Sequence, residues 1–196
     1  MPFASYDDLQ ASIGRWLKRN NLQDSAADFI ALAEVRLNRR LKVRQMRTSF
    51  SVTPTTNFVT LPGDYNEAIR LTYGNHRLDF ISEDTADACL EKFDCANKYS
   101  IVGDKIWLLT KTSGAKLTVH YYQDIEPLSD TNTSNWLLED APDIYLYASL
   151  VEAEAFIKND ERVAGWKAAL DTAIADLQQN DCDSQHSGSS LAMRNI

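Results

Sequence analysis

The chain has 196 residues, 44% of them apolar, with four tryptophans and a formal net charge of −8, enough apolar material to bury a sizeable core. No apolar run approaches the roughly 20 residues that cross a bilayer, and acids stand in MPFASYDDLQ where a secretory signal would be basic and apolar, so the reading is a cytosolic protein with no membrane partner. Cys89, Cys95 and Cys182 are odd in number and lack zinc or CxxC spacing, which predicts free thiols.

The first segment reads as a helical hairpin over residues 1–47. Ser5 followed by Asp8 resembles a capping box, and Leu9, Ile13, Trp16 and Leu17 form a stripe on one helix face. NNLQ breaks the pattern. Ser25 with Asp28 restarts it, and Ile30, Ala33, Leu37 and Leu41, widened by Phe29 and Leu32, predict a second helix running to about Met46. Its distal end carries Arg36, Arg39, Arg40, Lys42, Arg44 and Arg47 with no acid among them, where cations favour the negative end of the helix dipole by about 0.3 to 1 kcal/mol.

Over residues 48–125 the hydrophobic period changes from 3.6 to 2. Phe50 and Val52, Phe58 and Leu61, and Ile69, Leu71 and Tyr73 read as strands separated by Pro54, Pro62, Gly63 and Gly74-Asn75. Gly74-Asn75 predicts one hairpin and Gly103-Asp104 another, with Ser113-Gly114 leading on to KLTVHYY as a meander. Between the hairpins, Ser82 with Thr85 and then Ala86, Cys89, Leu90 and Phe93 predict a short helix.

Residues 126–178 return to helix. Asp140 is a candidate cap, Pro142 suits the first helical position, and the stretch from Ile144 to Ile157 is apolar nearly all the way round, the pattern of a central helix. Asp160 begins a last helix with the single stripe Val163, Trp166, Leu170, Ala173, Ile174 and Leu177. Residues 179–196 open polar and small in QNDCDSQHSGSS, predicting an extended tail that ends in LAMRNI. The fold class that follows is α+β, mainly α: an antiparallel bundle of two N-terminal and two C-terminal helices with an inserted antiparallel β-subdomain and an extended C-terminal tail.

Catalytic signatures do not emerge. The sequence has no phosphate loop, GxGxxG, HExxH or GxSxG, and His76, His120 and His186 are isolated from one another and from cysteine. Glu152 and Glu154, or Asp7 and Asp8, point to different sides of a helix. No catalytic group, metal or cofactor is read here. Arg36, Arg39, Arg40 and Arg47 share a helix side, but an acidic chain without interleaved aromatics argues against a sequence-reading nucleic-acid binder. Contact with a passing DNA backbone or an acidic protein partner stays open. Residues 121–183 carry 14 acids against Lys158, Arg162 and Lys167. These opposed patches suit a head-to-tail contact between identical subunits, or else are solvated faces.

Two blocks together resemble a known family. Trp16-Leu17-Lys18-Arg19 and Phe29-Ile30 through Arg40 at the front, with Leu128-Ser129-Asp130, Asn135-Trp136-Leu137-Leu138, Pro142-Asp143-Ile144-Tyr145-Leu146-Tyr147 and Glu152-Ala153 at the back, are similar to the adaptor (head-to-tail connector, head-completion) proteins of tailed bacteriophages. Ala148 stands where the pattern has glycine. The resemblance implies a non-enzymatic virion protein at the head-tail junction, assembled in the host cytoplasm. It would form a homo-oligomeric ring of about twelve copies beneath the portal protein, with tail components (nozzle or tail fibre proteins) below and genomic DNA passing without sequence specificity. It also implies a C-terminal tail anchored on the portal through Leu191, Met193, Arg194 and Ile196. The basic cluster, with Tyr145 and Tyr147 as apolar surface left uncovered, is then expected to face the portal or a neighbouring subunit. A tail-side stopper or completion protein, or a small enzyme with its site in residues 48–125, are the alternative readings.

Overall fold

A computed structural model describes residues 5–18, 25–91, 96–110, 114–158 and 160–186. The chain forms two compact units, one of residues 1–45 with 125–196 and one of residues 46–124.

The first unit is helical. Helix α1 (Tyr6–Leu17) starts where Ser5 accepts the Asp8 amide hydrogen at 3.3 Å, as its capping pattern requires. It buries Leu9, Ile13 and Leu17. The NNLQ break lies outside the described residues. Helix α2 (Ala26–Arg40) ends well short of Met46. Leu41 and Val43 are both fully buried, two positions apart, a spacing that extended chain provides and helix does not. The backbone groups freed there find partners: Gln178 Nε2 donates to the Arg40 carbonyl at 3.4 Å, and the Arg44 amide donates to Asp181 Oδ1 at 3.1 Å. A single 3-10 turn (Arg44–Met46) follows.

The apolar stretch after Ser134 is two helices, α4 (Trp136–Asp140) and α5 (Pro142–Ile157). Asn135 caps the first by accepting the Leu138 amide hydrogen at 3.0 Å. Ala141 separates the two, so Asp140 is not the cap of α5; its carboxylate accepts instead from Gln45 Nε2 at 3.2 Å. Helix α5 is buried on nearly every side and packs against α1, α2, α4 and α6, which is why it tolerates so little polarity. Helix α6 (Asp160–His186) runs nine residues beyond Leu177. Its polar last turns, which the sequence reading made extended tail, are fastened by the contacts of Gln178 and Asp181 with residues 40–44 and by Gln179 and Ser184 bonding along the helix.

The second unit is a curled sheet of β1 (Arg47–Val52), β2 (Phe58–Thr60), β3 (Tyr65–Tyr73), β4 (His76–Phe80), β5 (Lys98–Val102), β6 (Lys105–Leu108) and β7 (Leu117–Gln123), with α3 (Glu83–Glu91) between β4 and β5. The order is β1-β7-β3-β4-β5-β6-β2. Gly74 (φ 59°) and Gly103 (φ 60°) turn the two expected hairpins, each in a left-handed conformation that suits glycine. The meander does not form: β7 leaves β6 and inserts between β1 and β3. Strands β4 and β5 run parallel, because α3 supplies the crossover that a parallel pair requires. The expected bundle with a small antiparallel insertion is therefore replaced by six helices and one mixed seven-stranded sheet among the described residues. Cys89 is disulfide-bonded and Cys182 is free and exposed, so the expectation of three free thiols fails for Cys89.

Cross-strand rows sort the sheet's two faces. Phe50, Val119, Leu71 and Leu78 lie in register across β1, β7, β3 and β4 on the buried face. Ser51, Thr118, Thr72 and Arg77, then Ser49, His120 and Arg70, form neighbouring rows on the other. The alternation groups Ile69 with Leu71 and Tyr73, but a register shift between Ala68 and Arg70 turns it outward. An extra residue in one strand is what moves a side chain to the opposite face.

Candidate functional site

The residues shared by the front and back sequence blocks meet in one buried polar network. Glu34 Oε1, on α2, accepts the Leu128 amide hydrogen at 2.8 Å and the Tyr145 hydroxyl hydrogen at 3.1 Å. Asn135 Nδ2 donates to Tyr145 Oη and to the Glu126 carbonyl, both at 2.7 Å. Helix α2 is thereby fixed to α5 and to the segment from Glu126 to Asn135 that leads into α4. Burial raises the Glu34 carboxyl above its ordinary value, against the opposing pull of its two donors. It raises the Tyr145 phenol as well, reinforced by the Glu34 charge. Tyr145 is fully buried. It is an internal strut, and no uncovered apolar surface exists at that position in the folded subunit.

The basic cluster is largely engaged within the chain. Arg36 Nη2 meets Glu152 Oε1 at 2.5 Å, Arg40 Nη2 meets Asp171 Oδ1 at 2.7 Å, and Arg44 Nε lies 3.7 Å from Asp181 Oδ1. Lys42 Nζ donates to the Asn38 carbonyl at 3.1 Å, while Asn38 Oδ1 accepts the Ile125 amide hydrogen at 2.8 Å. In the second unit, Arg47 lies over the Tyr122 ring, 5.7 Å from its centroid. Tyr147 is half-buried and stacks on Trp166. Arg39 is exposed and makes no ion pair or hydrogen bond among the described residues. Leu191, Met193, Arg194 and Ile196 lie outside the described residues.

Around Arg39 the sequence reading missed a surface. Leu32 is 55% exposed and Val35 48%, and Phe156, 66% exposed, rests its ring on Phe29 one turn before Leu32. At 100° per residue, Leu32 and Arg39 lie about 180° from the buried Ile30, so their position on the back of α2 was readable once Ile30, Ala33 and Leu37 were taken as the core line. The stripe of Ile30, Ala33, Leu37 and Leu41, widened by Leu32, places that residue on the buried side instead. Three large apolar side chains beside an unpaired guanidinium are suited to an apolar-cored protein contact with a charged rim.

No group of three or more His, Cys, Asp or Glu side chains able to hold a metal occurs among the described residues, and no described helix is long and apolar enough to cross a membrane. The family profile of the SU10 adaptor protein matches residues 4–194, nearly the whole chain. The chain belongs to that family and is a phage adaptor protein, a component of the virion. No curated protein matches it.

Proposed function

We propose that this adaptor is the repeating subunit of a ring that joins the portal protein to the tail, with genomic DNA passing through the ring and tail components bound beneath it. Its role is architectural and involves no catalysis. The observation that carries the reading is the outward side of α2, where Leu32, Val35 and Arg39 stay uncovered in a subunit that otherwise pairs Arg36, Arg40 and Arg44 internally. Fully burying a wholly exposed Leu or Val side chain contributes about 1.5–3 kcal/mol, so covering these half-exposed ones contributes about 1 kcal/mol each. In a closed ring of about twelve subunits each such contact repeats, and linked contacts exceed single-site affinity by roughly 10²–10⁴. Arg39 is assigned to the contact with a neighbouring subunit or the portal; Arg36, Arg40 and Arg44 hold the subunit's own helices together. The segment 187–196, with Leu191, Met193, Arg194 and Ile196, anchors on the portal.

The test mixes purified portal with wild-type protein, with Leu32→Asp plus Arg39→Glu, or with a chain ending at His186, and counts rings by negative-stain electron microscopy. The double variant should melt within a few degrees of wild type, since both side chains are exposed, yet form few rings. The truncated chain should dock more weakly. Normal rings from the double variant would falsify the α2 contact, and undiminished docking of the truncated chain would remove the anchor.

A further inference from the structure

The second unit carries a cationic surface that the adaptor's protein contacts do not explain. On the polar side of the sheet lies an open concavity of about 640 Å³, lined by Arg47 and Ser49 of β1, Ile69 and Arg70 of β3, Arg77 of β4 and His120 of β7. No carboxylate among the described residues lines it. Two acids share that face by register and flank Arg70: Glu67, opposite Tyr122 and one row along β3, and Asp79 on β4, one step past the Leu71–Leu78 pair. Strands lie about 4.8 Å apart and alternate residues about 6.8 Å apart. Arg47, His120, Arg70 and Arg77 therefore form a diagonal of basic groups spaced about 5–8 Å between neighbouring positions.

The diagonal is built. The register shift at Ile69 brings Arg70 opposite His120, with Arg70 Nη2 3.3 Å from His120 Nε2. Arginine only donates, so the imidazole nitrogen accepts and steadies the guanidinium. Arg47 is held against Tyr122, its Nη2 3.4 Å from the phenolic oxygen. Hydroxyls of Ser49, Ser51, Thr72 and Thr118 fill the same rows. Guanidinium forks among hydroxyl donors match phosphate oxygens. A protein contact would need an apolar centre, and among the described residues Ile69 is the only large apolar side chain in the lining.

We propose that this sheet face binds the phosphodiester backbone of nucleic acid, without reading sequence. Three arginines on a chain of net charge −8 make a weak site that guides a passing strand and releases it, with Kd on the order of 10⁻⁴ M or weaker at physiological salt. That the nucleic acid met in the virion is the traversing genome rests on the ring reading above; the binding itself does not, because it is measured on the isolated full-length subunit.

The experiment is fluorescence anisotropy of a labelled random-sequence duplex titrated with that subunit across a range of salt concentrations. The expected plot of log K against log salt has a slope of about −3, from about −0.9 per phosphate contacted. Arg47→Ala, Arg70→Ala or Arg77→Ala should each flatten it by about 1, with near-ultraviolet circular dichroism unchanged, and Arg70→Lys should keep the slope. Absence of binding at low salt, or a slope that none of the three variants alters, overturns the proposal. So does competition by polyglutamate as effective as that of unlabelled duplex at equal charge, which would mark the face as a site for acidic protein. A failure of ring assembly leaves the proposal standing, and a failure here leaves the ring reading untouched.

Discussion

Glu34 is the residue on which the helical unit converges. Its Oε1 atom is the acceptor for both the Leu128 amide and the Tyr145 hydroxyl. Glu34→Ala leaves two buried donors without a partner, at about 1–3 kcal/mol each, so a loss of about 3 kcal/mol or more in urea unfolding is expected. Glu34→Gln keeps an acceptor and removes the buried charge, and should lie within about 1 kcal/mol of wild type near neutral pH. The pH dependence separates the two effects. Because burial raises the folded-state pKa of Glu34, its stabilising contribution is complete below the unfolded value and is lost as pH rises through the folded one. The stability of Glu34→Gln relative to wild type should therefore improve as pH rises above about 4.5 and shrink on acidification. A glutamine variant several kcal/mol less stable at every pH would mean that the negative charge itself is required.

At the scale of elements, period-based reading succeeded where a segment's partner face was local and failed where partners came from far along the chain. The alternation in LTVHYYQ identified β7, and Gly74-Asn75 and Gly103-Asp104 marked the hairpin turns. Nothing local in β7 says that it will pair with β1 and β3 rather than with β6, the strand before it. The end of α2 was hidden because Leu41 continues the helical spacing of Ile30, Ala33 and Leu37 while already sitting in extended backbone. Likewise, the basic cluster was visible as a run of cations, but its internal use was not. The acids that bind it, Glu152, Asp171 and Asp181, lie more than 100 residues away.

The final turns of α6 show the same dependence on distant partners. Asp181, buried on α6, is the acceptor for the Arg44 amide and the ion-pair partner of its guanidinium. Asp181→Ala should cost about 1–3 kcal/mol and accelerate amide hydrogen exchange over residues 178–186 while leaving α5 protected. Unchanged exchange in that segment would show that the polar turns hold without this fastening.

For the whole molecule, the division into units predicts how it comes apart. Residues 46–124 are continuous in sequence and own a core that includes Leu71, Tyr73, Leu78, Ile106, Leu117, Val119 and Tyr121. A chain of roughly this length is near the lower limit for a self-sufficient core, but the antiparallel pairing of β1 with β7 closes the segment on itself, Arg47 opposite Tyr122. Expressed alone, residues 46–124 should fold cooperatively, with dispersed amide resonances and a single urea transition. Two tyrosines report on it. Burial pushes the Tyr65 phenol up to about 12, and burial together with the hydrogen bond to Asp64 pushes Tyr121 up to about 12. A phenol whose folded pKa is raised contributes stability that is complete below its unfolded value near 10 and is lost as pH rises through the folded one. The isolated segment should thus hold constant stability up to about pH 10 and lose it steeply toward pH 12. Phenolate absorbance should show a late-titrating class that appears together with unfolding. Tyr121→Phe removes one of those late phenols and should flatten the alkaline loss while costing about 1 kcal/mol at neutral pH through the broken bond to Asp64. If Tyr65 and Tyr121 both titrate near pH 10 with the fold intact, the sheet core is open to solvent and the unit is not self-sufficient.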